Sequence, residues 1–92
     1  MPRYSYYEIK KKLNEIIATG GEPELSLFMY CKEYMLIGFK DRYSFQRCGT
    51  HDGSGETFYS TLDELYNSIT VDDILLKRDW DDITNFECDD FQ

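Results

Sequence analysis

Three strand-like runs follow one another between Leu25 and Cys48, with only a dipeptide between each run and the next. In the first, Leu25, Leu27, Met29 and Cys31 alternate with Ser26, Phe28 and Tyr30. The second, Tyr34 to Lys40, is apolar on both faces, the pattern of a central strand. In the third, Tyr43 and Phe45 alternate with Ser44 and Gln46. Lys32-Glu33 and Asp41-Arg42 are the expected turns. Parallel neighbours need long crossovers, so strands this closely spaced can pair only as an antiparallel meander.

Helix signals flank the meander. Ser5-Tyr6-Tyr7-Glu8 reads as a capping box, in which Ser5 accepts the Glu8 N–H and Glu8 reaches back. Ile9, Leu13, Ile16 and Ile17 then fall on one helical face. Gly20-Gly21 supplies a left-handed stop. These signals predict a helix from about residue 6 to 18. Thr61-Leu62-Asp63-Glu64 is a second capping box, with Leu62, Leu65, Tyr66 and Ile69 at helical spacing. Glu56 to Tyr59 is a short fourth strand candidate. Between Val71 and Ile83 two patterns compete: Ile74, Leu75 and Leu76 fit a strand, while Leu76, Trp80 and Ile83 have helical spacing, and a short strand followed by a turn or helical piece is expected. The acidic end of the chain is expected to gain order only by docking. Each helix has one apolar stripe to bury, so the expected fold is α+β. It has an N-terminal helix, an antiparallel meander of about four to five strands and a second helix on one face of the sheet. Residues 1–92 are read as one domain, with 79–92 as its acidic C-terminal segment.

Charge narrows the function classes. Residues 1–48 hold eight Lys/Arg against six Asp/Glu, while residues 49–92 hold two against twelve, for a net −8. Such a field disfavours contact with phosphate backbones or anionic lipid and favours a basic partner. No apolar run approaches the length of a membrane span or a leader sequence. The three cysteines, Cys31, Cys48 and Cys88, include no C-x-x-C pair. Reduced thiols in a cytoplasmic protein are therefore expected.

Motifs for chemistry are sparse. Cys48, His51, Asp52 and Ser54 share the loop that ends at Gly55, and His51 is the sole histidine. Acyl transfer needs a nucleophile, a base and an orienting group, which this loop could supply in principle. Its flanks carry no nucleophile-elbow pattern, and a polar glycine-rich loop has the same composition. Structural zinc would have to gather Cys31, Cys48, His51 and Cys88, which requires Cys31 to leave the strand face where a core thiol is expected. Asp72-Asp73 and Asp79-x-Asp81-Asp82 lack the glycine and terminal glutamate of a calcium loop. Gly53-Ser54-Gly55 leads to a strand, and no G-K-[ST] follows, so it is no phosphate cradle. Lys10-Lys11-Lys12 beside Tyr4, Tyr6 and Tyr7 reads as a solvated helix face. No cofactor or metal site is expected.

The feature with most functional weight is the acidic end. Asp79, Asp81, Asp82, Glu87, Asp89 and Asp90 surround Trp80, Phe86 and Phe91, with no base from 79 to 92. Aromatic anchors ringed by carboxylates would suit a basic protein partner, the rings burying area and the charges steering encounter. The alternative is that Trp80 and Phe86 complete the core and the acids are simply solvated. The expectation is a non-enzymatic protein-binding module of immunity-protein, antitoxin or adaptor type. A nucleic-acid-mimic inhibitor of anti-restriction or anti-CRISPR type is the alternative. An enzyme built on the Cys48–Gly55 loop is a lesser one.

Overall fold

The computed structural model describes residues 2–49 and 56–91. Helix α1 spans Tyr6–Ala18, and both bonds of the capping box at Ser5 and Glu8 are made. Gly20, at φ +90°, closes the helix in the left-handed region. Strands β1 (Glu24–Met29), β2 (Lys32–Gly38), β3 (Tyr43–Arg47) and β4 (Thr57–Tyr59) form the antiparallel meander. Helix α2 (Leu62–Tyr66) and the single turn α3 (Leu76–Asp79) follow, with short 3₁₀ turns at Val71–Asp73 and Trp80–Asp82. Strand β5 (Asn85–Glu87) then pairs antiparallel with β1, giving the sheet order β4-β3-β2-β1-β5. The fold is α+β, as expected.

Register decides which side chains meet the helices. Leu25 lies opposite Leu36, and Leu27 lies between Tyr34 on one side and Phe86 on the other. Across β2, Leu36 pairs with Phe45 and Gly38 with Tyr43. This face packs on Ile9 and Leu13 of α1, Leu62 and Leu65 of α2, and Leu76 of α3 in one buried cluster. Helix α1 approaches closely at Gly38, where a Cβ would come within 2.9 Å of the Ile17 side chain. Aromatic packing extends the cluster through Trp80 to Phe86, with ring centroids 5.8 Å apart.

Three elements differ from the sequence expectation. The first hairpin turns at Tyr30-Cys31, both at positive φ (54° and 61°), and Lys32 already belongs to β2. A turn at Lys32-Glu33 would have set Leu25 opposite Lys40 and Leu27 opposite Gly38. The observed register instead matches apolar residues with apolar partners on the covered face. Helix α2 stops at Tyr66, so Ile69 leaves the helical stripe and is 70% exposed. The Asn67 amide and the Ser68 hydroxyl donate to the carbonyls of Asp63 and Glu64, and Ser68 leaves the helix there. The expected strand at Ile74 to Leu76 reduces to one bridge between Ile69 and Leu75, and Leu76 instead opens α3.

Candidate functional site

The acidic end separates into a buried part and a solvated part. Asp79 is 5% exposed. Its carboxylate accepts the Leu75 N–H at 3.0 Å and pairs with the Arg78 guanidinium at 2.8 Å. Arg78 holds this carboxyl below its ordinary range against the opposing effect of burial. Asp79 is thus a helix-end brace. Trp80 is 7% exposed, and its indole N–H donates to the Tyr4 carbonyl at 3.0 Å. Phe86 is buried beside Leu27. Neither ring is presented as a surface anchor, because β5 carries Phe86 onto the helix-covered face and Trp80 packs against it there. Phe91 is half-buried, edge-on to Tyr4 at 5.9 Å with the Lys12 ammonium 5.4 Å from its centroid. Asp81, Asp82, Glu87, Asp89 and Asp90 are exposed.

The face of the sheet opposite the helices supplies what the buried rings do not. Strand alternation places Phe28, Met35, Ile37, Gln46 and Phe58 there, half-buried or exposed, with Phe58 at 48%. Glu24 and Glu33 share that face, as does Glu87 opposite Ser26. No lysine or arginine occupies a strand position on this face. Glu33 accepts the Ser26 hydroxyl at 2.9 Å, which fixes its carboxylate over β1. Ser44, flanked by Ile37 and Phe58 in register, has a fully buried hydroxyl with no hydrogen-bond partner among the described residues. At the β4 edge the Arg42 guanidinium lies 4.6 Å from the Phe58 ring centroid and 5.3 Å from that of Phe39. The sequence signal for this surface was already present. Strands apolar on both faces, in an antiparallel sheet with helices on one side, leave an apolar stripe on the other.

Other acids are spent on internal bonds. Asp63 takes the Tyr6 hydroxyl and pairs with Lys10 at 2.8 Å, joining α1 to α2. Asp72 accepts the Tyr34 hydroxyl at 2.8 Å and pairs with Arg47 at 3.2 Å. With Asp79, these three carboxylates each pair with a lysine or arginine.

The remaining sequence candidates are scattered. Cys31 is exposed in the hairpin turn, which corrects its expected place as a core thiol: the two-residue turn lifts it off the strand. Cys48 and Cys88 are half-buried, and burial pushes both thiols up, opposite to what a reactive thiolate needs. His51, Asp52, Ser54 and the glycines at 53 and 55 lie outside the described residues. Among the described residues no cluster of His, Cys, Asp or Glu could hold a metal ion. No helix among them is long and apolar enough to cross a membrane. Compared with protein-family models, curated proteins and solved structures, the chain matches none.

Proposed function

We propose that this chain is a non-enzymatic protein-binding module whose partner presents a basic surface. The observation that carries the reading is the sheet face that, among the described residues, no helix covers. Phe28, Met35 and Ile37 form an apolar centre there, bordered by Glu24, Glu33 and Glu87. Glu87 continues along the chain into exposed Asp89 and Asp90. Apolar burial would supply affinity, and the carboxylates would select a basic partner and speed its approach. The acids of the C-terminal segment keep the role expected of them, while the anchoring role passes from Trp80 and Phe86 to the open-face side chains.

The test is affinity capture from source cells with two altered baits. One reverses charge at Asp81, Asp82, Asp89 and Asp90, and the other carries Met35→Ser with Phe58→Ser. The reading expects a basic protein whose retention falls at least about tenfold between low and high salt and is lost with either bait. Retention that is indifferent to salt and to both baits overturns it.

A further inference from the structure

The open sheet face holds one carboxylate fixed among apolar side chains. Register sets Ser26 opposite Met35 and Phe28 opposite Glu33, so these residues mark the corners of one patch across β1 and β2. The Ser26 hydroxyl donates to Glu33 Oε2 at 2.9 Å and lies 4.0 Å from the Met35 sulfur. The Glu33 side chain therefore reaches diagonally across the patch, and its carboxylate sits between Phe28 and Met35. Ser26 is 8% exposed, whereas Phe28, Glu33 and Met35 are half-buried and open on one side. A partner that covered this apolar patch would desolvate the carboxylate, and a base of its own would offset that cost.

Among the described residues no base of this chain pairs with Glu33. Lys32 precedes it in β2 but stands opposite Met29, in the helix-side register. Arg47 stands opposite Tyr34 on that same side and pairs with Asp72. Arg42 lies at the far edge of the sheet, its guanidinium 4.6 Å from the Phe58 centroid and 5.3 Å from that of Phe39. Glu24 and Glu87 share the open face with Glu33. Set against Arg42 and Lys32 together, the three glutamates still leave the face negative. Arg42 also shows what a guanidinium does on this face: it rests on exposed ring surface. Phe28 offers a second ring of that kind, with a carboxylate beside it.

We infer that Phe28, Glu33 and Met35 receive an arginine side chain of the basic protein partner. Its guanidinium lies on the Phe28 ring and turns its N–H fork to Glu33, while its stem covers Met35. A lysine would reach the carboxylate as a point charge but has no plane to lay on the ring. A second copy of this chain packed face to face would bring three more glutamates towards these, so like charges oppose it. The inference rests on the reading of the open face as the partner's surface, and adds which side chain that surface selects.

NMR titration of the labelled protein at low salt tests the inference. The probes are acetyl-Leu-Arg-Leu amide and its counterparts with lysine or citrulline at the centre, citrulline keeping the shape of arginine without its charge. The arginine peptide is expected to shift the Phe28, Glu33 and Met35 amides saturably. It should bind about fivefold more tightly than the citrulline peptide, with lysine between the two. Glu33→Gln should bring arginine down to the level of citrulline and leave citrulline binding unchanged. Phe28→Leu should remove the preference of arginine over lysine. Glu15→Gln, the same loss of charge at an exposed position of α1, should change neither ratio. No saturable shift at the three amides, arginine binding no tighter than citrulline or lysine, or a preference that survives Glu33→Gln overturns the inference. Shifts of these amides with protein concentration alone would assign the patch to a second copy and overturn it as well. Should the peptides fail while salt-sensitive capture of a basic protein persists, the arginine contact falls and the reading of the open face stands. Selective arginine binding at Glu33 with no basic protein captured would leave the contact standing and remove the reading.

Discussion

Asp79 shows how little a residue's type says about its job. In the chain it is one carboxylate among six from 79 to 92. In the fold it is the one that caps a backbone N–H and grips a guanidinium while nearly excluded from water. Asp79→Ala strands the Leu75 N–H and frees Arg78. It should cost about 1–3 kcal/mol, the scale of a buried hydrogen-bonded partner left unpaired. Its folded-state carboxyl is held below the ordinary value, so its contribution is present above the unfolded pKa and is lost as pH falls through the folded one. Urea unfolding at neutral pH should therefore separate wild type from Asp79→Asn, and the gap should close below about pH 4. An unchanged gap in acid would show that the charge on Asp79 does not stabilise the fold.

At the scale of elements, α1 was legible to the residue because everything that fixes it is local: a reciprocal cap, a period of apolar residues and a glycine stop. The first hairpin was legible as a hairpin, but its turn was misplaced by two residues. Tyr30-Cys31 carries none of the Asn or Gly that usually marks a turn with two positive φ values, whereas Lys32-Glu33 is polar. Cross-strand pairing imposes the turn on residues that disfavour it. Cys31→Gly removes a Cβ from the left-handed region and should raise stability by about 1 kcal/mol in thermal or urea unfolding. Loss of stability would mean that the Cys31 side chain makes a contribution larger than the backbone strain. Strand β5 and the short α2 were the least legible elements. Three residues carry too little pattern to announce a strand, and the stop at Tyr66 depends on side-chain bonds formed by Asn67 and Ser68.

Across the whole molecule, tyrosine hydroxyls tie elements together and make the fold sensitive to alkali. Burial and the Asp72 hydrogen bond push Tyr34 up to about 12, while the Asp82 hydrogen bond does the same for Tyr30. Tyr6, Tyr43, Tyr59 and Tyr66 are raised as well, each chiefly by burial. A phenol whose folded pKa lies above its unfolded value stabilises fully below about pH 10. That stability drains away as pH rises towards the folded pKa, because the unfolded chain releases its protons first. Phenolate absorbance and far-ultraviolet circular dichroism should therefore change together between about pH 10 and 12. Ionisation of most tyrosines near pH 10 with the dichroism unchanged would contradict this account. At the same scale, the helices choose one face of the sheet, and that choice creates the open surface on which the proposed function rests.

The sequence by itself determined whatever depends on neighbours along the chain. That covers the capped first helix, the antiparallel sense of strands too close for crossovers, the α+β class, and the concentration of negative charge in the second half. Tertiary structure decided where two-faced elements point. Phe28, Met35 and Ile37 are no less apolar in sequence than Leu27, Tyr34 and Leu36, yet only the second set meets the helices. Trp80 and Phe86 could have been surface anchors until β5 paired with β1 and carried Phe86 beneath Trp80 and the N-terminal segment. Burial is a property of the layer that lands on a residue, and that layer comes from distant parts of the chain.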